Sequence, residues 1–266
     1  MSVIEKALSR RAQRAPDDNA ARRAPEPPAT MAEPLAPLRF QTVSLDATIL
    51  EHNCVLPQVA DRAVLRAYKI LRTRLLQRLA AKNWRSVAVT STMPGEGKTL
   101  TTINLSIALS QDPNTRVCVA DFDLQRPQIA TQLGIKCDRG LGDYLVGEAE
   151  AEQVIYDCGL PRLLVVPNKR TFDHSSEMLA SARAHALLRL IDAQMPNHIV
   201  VFDMPPLTSD DMLTFAPRVD GVLLVIAEGR TERGSLEKTK QLLAEMNVLG
   251  VVLNRSAERD DALAYY

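Results

Sequence analysis

Short, continuous apolar runs alternate along the chain with longer stretches whose apolar residues recur at three- and four-residue spacing. The runs are Val87-Ala88-Val89, Val117-Cys118-Val119-Ala120, Ile199-Val200-Val201-Phe202, Val222-Leu223-Leu224-Val225-Ile226 and Val251-Val252-Leu253, with a shorter one at Leu163–Val166. Strands that are apolar at every position are buried on both faces. Helical spacing predicts helices over 59–82, about 98–111, about 178–194 and about 232–246; in the first of these the periodic residues are Val64, Leu65, Tyr68, Leu71, Leu75, Leu76 and Leu79. Buried strands alternating with helices predict an α/β fold, a mostly parallel sheet covered by helices on both faces.

The ends of the chain break this pattern. Residues 1–14 place Val3, Ile4, Ala7 and Leu8 beside Arg10, Arg11 and Arg14, which reads either as a short amphipathic helix for a partner or membrane surface or as a solvated terminus. Residues 15–58 are assigned to a linker on the strength of the Pro-, Ala- and charge-rich stretch 15–39, which buries too little apolar surface to order itself. The folded domain is expected over 59–256, followed by a tail, 257–266, that ends in Tyr265 and Tyr266.

The chemistry concentrates where the first buried run meets a helix. Val87–Val89 leads into Pro94-Gly95-Glu96-Gly97-Lys98-Thr99-Leu100. A strand, a glycine-bearing loop and Lys-Thr opening a helix form the layout of a phosphate-binding P-loop. Glycines let successive amides turn inward as an anion cradle, and the helix directs its positive end at the same point. Lys98 supplies a mobile ammonium for the phosphates, and the Thr99 hydroxyl is a candidate Mg²⁺ ligand. The standard pattern opens on glycine, where this chain has Thr92.

Two further strands end in acids. Arg116–Ala120 runs into Asp121-Phe122-Asp123, and His198–Phe202 into Asp203-Met204-Pro205-Pro206. Ligands of parallel α/β sheets sit beyond the carboxyl ends of strands, so acids there meet Mg²⁺ or a reacting hydroxyl. Asp121 and Asp123 share a face if the strand extends that far; the alternative is that they cap the next helix. Asp203 has the character of a Walker B acid.

Composition narrows the function classes. The 266 residues carry a formal net charge of zero and are 46% apolar, which supports a full core and gives no sign of nucleic-acid binding. The four cysteines, Cys54, Cys118, Cys137 and Cys158, have no metal-ligand spacing and fit a reducing compartment. His174, His185 and His198 also lack metal-ligand spacing. No run approaches the ~20 apolar residues of a membrane span, and the first residues lack the apolar segment of a signal peptide.

Taken together, Ala67-Tyr68-Lys69-Ile70-Leu71-Arg72-Thr73, the loop Ser91–Thr99, Asp121-Phe122-Asp123-Leu124-Gln125-Arg126-Pro127, Gly140-Leu141-Gly142-Asp143-Tyr144-Leu145, Asp203-Met204-Pro205-Pro206 and Val251-Val252-Leu253-Asn254 resemble the bacterial tyrosine kinases, the P-loop autokinases of exopolysaccharide and capsule loci. Met1–Leu8 is similar to members encoded beside exosortase systems. The resemblance covers roughly 60–256 and implies a P-loop NTPase fold with ATP and Mg²⁺ as cofactors. It implies that Pro94, Gly95, Glu96, Gly97, Lys98, Thr99, Leu100 and Asn254 bind the nucleotide, with Asn254 at adenine. Thr99, Asp123 and Asp203 would organise the metal, and Asp121 would orient or deprotonate a tyrosine hydroxyl. Lys98, Asp121, Asp123 and Asp203 form the implied catalytic set, with Tyr265 and Tyr266 as phosphoacceptors.

The same resemblance implies a homo-oligomer, with Arg66, Lys69 and Arg72 at its interface. It also implies a membrane-bound chain-length-determinant (Wzz-like) activator with a cytoplasmic tail, a cognate tyrosine phosphatase, and a cytoplasmic protein held at the inner membrane through its partner. The family's interface helix usually has Glu where this chain has Arg66, and Gln125 stands where an arginine is common. A rival is a partition or septum-site (ParA/MinD-like) ATPase that switches a membrane partner without phosphorylating tyrosine. Those proteins carry a second lysine early in the loop, and here that position is Met93.

Overall fold

The continuous apolar runs become the centre of one sheet. All six residues of His198–Asp203 are buried, as are five of the six in Ser86–Ser91 and in Arg116–Asp121. The computed structural model describes residues 40–195 and 197–256. In chain order its elements are β1 (Gln41–Thr42), α1 (Ala47–His52), α2 (Arg62–Lys82), β2 (Ser86–Ser91), α3 (Lys98–Ser110), β3 (Arg116–Asp121), α4 (Ile129–Leu133), α5 (Leu141–Leu145), β4 (Tyr156–Asp157), β5 (Leu163–Val166), α6 (Ser175–Leu179), α7 (Ala182–Gln194), β6 (His198–Asp203), α8 (Asp210–Phe215), β7 (Gly221–Ala227), α9 (Arg233–Leu243) and β8 (Val248–Asn254).

Among the described residues the sheet has eight strands in the order β1-β4-β5-β3-β6-β2-β7-β8. Every pairing is parallel except β4 with β5. Alternation of side chains splits the core in two. Val87, Val89, Val117, Val119 and Val201 face Leu75 and Leu79 of α2 and Ile103 and Leu105 of α3. Ala88, Cys118, Ala120, Val200 and Phe202 face the layer of α5, α7 and α8. Phe122, Phe202 and Phe215 pack in that second layer with ring centroids 4.8, 4.9 and 5.1 Å apart. Each such aromatic pair contributes about 0.5–1.5 kcal/mol beyond its buried area. Cys118 is fully buried, and burial pushes its thiol up to about 12.

Three expectations change. Residues 40–58, expected as linker, belong to the folded unit: β1 pairs with β4, Asp46 caps α1, and Leu50, Val55 and Leu56 are buried. The reason is compositional, since past residue 40 the Pro- and Ala-rich pattern gives way to Val43, Leu45, Ile49, Leu50, Val55 and Leu56. Asn104 of α3 fastens this segment by accepting from Leu56 N–H (2.8 Å) and donating to Cys54 O (3.0 Å). The single helix expected over 178–194 is two helices, because Ser181 adopts an extended backbone and its hydroxyl caps α7 by accepting from Ala184 N–H (3.2 Å). β3 stops at Asp121, so strand alternation does not carry Asp121 and Asp123 onto one face. The amphipathic helix expected at 1–14, the stretch 15–39 and the tail 257–266 with Tyr265 and Tyr266 lie outside the described residues.

Candidate functional site

Register brings the three strand ends together. Asp203 lies opposite Asp121 across the β3–β6 pair and opposite Val89 across the β2–β6 pair. The loop that follows β2 therefore rises beside the acids that close β3 and β6. The chain passes from Ser91 through Gly95 (φ +80°) and Gly97 (φ +90°) into α3 at Lys98. Gly97 has a second constraint besides its φ. A Cβ there would lie 2.1 Å from Asn254 Nδ2.

Side chains from distant segments hold the loop. Met93 N–H donates to Glu96 Oε2 (2.9 Å), and the Thr231 hydroxyl donates to Glu96 Oε1. Asn254 Nδ2 donates to Glu96 O (2.8 Å), and Arg255 Nη2 donates to Gly95 O (3.1 Å). Glu96 is buried, so its carboxylate serves as an internal staple for the loop. Thr231 escaped sequence reasoning because nothing in the local pattern marks a threonine 135 positions away as its partner. Thr92, at the usual glycine position, is buried and its hydroxyl is without a partner among the described residues.

Lys98 reaches into the acids. Its ammonium is 2.6 Å from Asp123 Oδ2 and 3.6 Å from Asp203 Oδ1. The Thr99 hydroxyl donates to Asp203 Oδ2 (2.6 Å), and the Thr102 hydroxyl lies 3.4 Å from Asp203 Oδ1. Thr102 is a second residue that the sequence reading missed; its position one helical turn beyond Lys98 is the signal that would have found it. Burial alone would lower the Lys98 pKa, but the charges of Asp203 and Asp123 outweigh it and carry the ammonium above the ordinary lysine value. Burial raises the Asp203 carboxyl above the usual range, against the pull of Lys98.

Asp121 caps the helix that follows it. Its Oδ2 accepts from Gln128 N–H and Ile129 N–H, each at 2.9 Å, which ties down the start of α4. Its Oδ1 is buried and has no hydrogen-bond partner among the described residues. Burial, then the Asp203 charge, hold its pKa well above the ordinary carboxylate value. A buried oxygen that lacks a partner costs about 1–3 kcal/mol.

The remaining predicted residues sit further out. Leu100 is half-buried in the first turn of α3, and Pro94 is exposed on the loop. On α2, Lys69 is exposed while Arg66 and Arg72 are half-buried. Arg72 Nη1 donates to Ala108 O (3.3 Å) near the end of α3, so part of its guanidinium is engaged within the chain.

A loop of amides, a buried lysine and converging carboxylates at the carboxyl edge of a parallel sheet form a nucleotide site by their chemistry. Comparison with known proteins agrees. The family model for the CobQ/CobB/MinD/ParA nucleotide binding domain matches residues 87–265. The chain is similar to tyrosine-protein kinase YwqD of Bacillus subtilis, 28% identical over 203 residues that make up 75% of this chain and 84% of that protein. It is also similar to the succinoglycan biosynthesis transport protein ExoP of Rhizobium meliloti, 30% identical over 68% of this chain but 23% of that longer protein. The fold is that of the kinase domain of the Escherichia coli tyrosine kinase ETK, with a TM-score of 0.67 at 24% identity, covering 83% of this chain and 85% of that domain. The chain belongs to the CobQ/CobB/MinD/ParA nucleotide-binding family.

Proposed function

We propose that the protein is a Mg-ATP-dependent protein-tyrosine autokinase that regulates exopolysaccharide or capsule biosynthesis and export. The observation that carries this reading is the convergence of Lys98, Thr99, Asp123 and Asp203, beside a buried Asp121 oxygen that has no hydrogen-bond partner among the described residues.

The loop amides from Gly95 to Thr99 bind the ATP phosphates, and Lys98 moves its ammonium from the carboxylates to the β/γ oxygens. Asn254, already seated against Glu96 and Gly97, lies at the adenine side. Thr99, Asp123 and Asp203 hold the divalent cation. Among the described residues no three His, Cys, Asp or Glu side chains form a closed metal cage. This donor set suits Mg²⁺, which takes one or two carboxylates together with substrate phosphates. When bound, the cation neutralises charge on the transferring phosphoryl group. The free Oδ1 of Asp121 accepts the proton of an incoming tyrosine hydroxyl, for which a raised pKa and a fixed position suit it. The catalysis is chiefly positioning and charge stabilisation.

The acceptors in this reading are Tyr265 and Tyr266, presented to a neighbouring copy in a homo-oligomer in which Arg66, Lys69 and Arg72 face the adjoining subunit. A chain-length-determinant membrane protein activates the kinase through its cytoplasmic tail and holds it at the inner membrane. Among the described residues no helix is long and apolar enough to cross a membrane. A cognate tyrosine phosphatase would reverse the modification.

Phosphosite mass spectrometry on protein incubated with Mg-ATP tests the reading, with and without an activator tail. Phosphate on Tyr265 or Tyr266 is expected, and it disappears in Lys98→Met and in the Tyr265→Phe/Tyr266→Phe double variant. ATP hydrolysis with no phosphotyrosine under any of these conditions would overturn it in favour of a regulatory ATPase.

A further inference from the structure

A second buried polar cluster adjoins the site without entering it. Asp211, in the first turn of α8, is 1% exposed, and so is Ser175, which opens α6. The Ser175 hydroxyl donates to Asp211 Oδ1 (2.7 Å). The Gln125 amide nitrogen lies 3.2 Å from Ser175 Oγ and 3.4 Å from Asp211 Oδ2. Leu179, Leu207, Met212 and Phe215 of the apolar layer on this side of the sheet are fully buried, while the charges of Asp123, Asp210 and Glu177 also act on Asp211. A carboxylate in such a place costs stability relative to an apolar side chain of similar volume, and what it gives in return is position.

Gln125 belongs to the turn that carries Asp123. Arg126 N–H donates to Asp123 Oδ1 (2.9 Å) and lies 3.2 Å from Asp123 O, which closes that turn on itself. Two ties fix the turn to the body. Leu124 is fully buried and its carbonyl accepts from Phe172 N–H (3.0 Å), and the Gln125 amide reaches the Ser175–Asp211 pair. On the far side of the turn, Asp123 Oδ2 meets Lys98 at 2.6 Å. A continuous series of contacts therefore links α8 and α6 to the P-loop lysine.

We propose that Asp211, acting through Ser175 and Gln125, is a positioning residue that sets where the Asp123 carboxylate stands. It touches neither nucleotide nor acceptor. Metal and phosphate sites tolerate only about half an ångström of misplacement, and loss of an outer supporting group lowers metal affinity about tenfold or more. The proposal rests on the reading that Asp123 serves Mg²⁺ bound with ATP.

The test measures coupling between metal and nucleotide, so it does not depend on phosphoryl transfer. The affinity for a fluorescent ADP analogue is measured with and without Mg²⁺ in the full chain, in Gln125→Met and in Asp211→Asn. Gln125→Met keeps side-chain length and leaves the Asp211–Ser175 bond in place, whereas Gln125→Lys restores a donor at the same reach. The expected result is that Gln125→Met and Asp211→Asn lower the Mg²⁺ enhancement about tenfold. Metal-free affinity stays within twofold, and Gln125→Lys recovers most of the enhancement. An unchanged enhancement in both variants overturns the proposal. A parallel fall in metal-free affinity or melting temperature also overturns it, because the cluster would then only support the fold. A parent protein that binds Mg-ADP but never phosphorylates tyrosine would sink the kinase reading and leave this ratio as informative as before.

Discussion

Replacing Gly97 by Ala adds one methyl group at the most constrained point of the nucleotide loop. Two costs follow from its geometry. A φ of +90° is a conformation that an alanine adopts at a penalty of about 1–2 kcal/mol. The new Cβ would also sit 2.1 Å from Asn254 Nδ2, well inside van der Waals contact, so the amide must move. Moving it breaks the hydrogen bond from Asn254 to Glu96 O (2.8 Å), which contributes about 1 kcal/mol. The sum is about 2–3 kcal/mol, borne by the conformation that turns the amides toward the phosphates. Since 1.4 kcal/mol is a factor of ten, ADP affinity should fall about 30- to 150-fold. Fluorescence titration with a labelled ADP measures it directly, and circular dichroism reports whether the fold survives. The core lies away from the loop, so melting should shift little. A Gly97→Ala protein that binds ADP within threefold of the parent would show that the loop does not need this conformation, and the geometric reasoning would fail.

Three further outcomes are expected. Lys98→Met strips the only ammonium recorded among Asp121, Asp123 and Asp203 in the described site, and breaking such a buried pair costs about 3–5 kcal/mol. Its loss of stability should be larger at pH 8 than in acid, because the carboxyls of Asp121 and Asp203 keep protons to higher pH than ordinary carboxylates, and equal losses at both would count against a buried charge cluster. For Asp121→Asn the sign follows from a raised pKa: the folded state keeps the proton to higher pH than the unfolded chain, so stability falls as pH climbs from about 4 through the folded-state value. Asn cannot ionise, so thermal melts of the variant should lose that slope and rise at pH 7.5, by about 2–4 °C for each kcal/mol, while tyrosine phosphorylation falls about 100-fold; a lower melting temperature at pH 7.5 would refute the assignment. Asp220→Ala removes the acceptor that holds Arg85 N–H (2.8 Å), Ser86 N–H (2.9 Å) and the Ser86 hydroxyl (2.9 Å) at the start of β2, so it should cost about 1–3 kcal/mol in urea denaturation with no change in ADP affinity beyond twofold.

The central strands were legible because burial on both faces leaves a mark that neighbours cannot disguise: a run with no polar position. The strand expected at His198-Ile199-Val200-Val201-Phe202-Asp203 is the strand observed. The peripheral pieces carry no such mark. β1 and β4 are two residues each, too short to show a period, and they exist because a neighbouring strand offers them hydrogen bonds. The break between α6 and α7 was hidden for the opposite reason. Apolar spacing continues through Met178, Leu179, Ala184 and Leu187, and only the cap at Ser181 interrupts the backbone. Hydrophobic period records which face is covered; it does not record whether the helix is continuous.

The site divides along the same line. Gly95, Gly97, Lys98 and the acids at strand ends were visible because each occupies a fixed offset from a strand, and the sheet converts sequence offset into place. Asn254 is joined to the loop by a register: β8 runs beside β7, and the pairing of Ala227 with Asn254 sets that side chain next to Gly97. No local pattern announces this, yet it makes Gly97 intolerant of any side chain. At Asp121, capping of the next helix does not exclude contact with a reacting hydroxyl, because a carboxylate has two oxygens. One caps α4 through two backbone amides, and those fixed bonds hold the other in a buried position with no partner among the described residues. Anchoring keeps that second oxygen in place, because a carboxyl free to rotate would turn both oxygens toward donors.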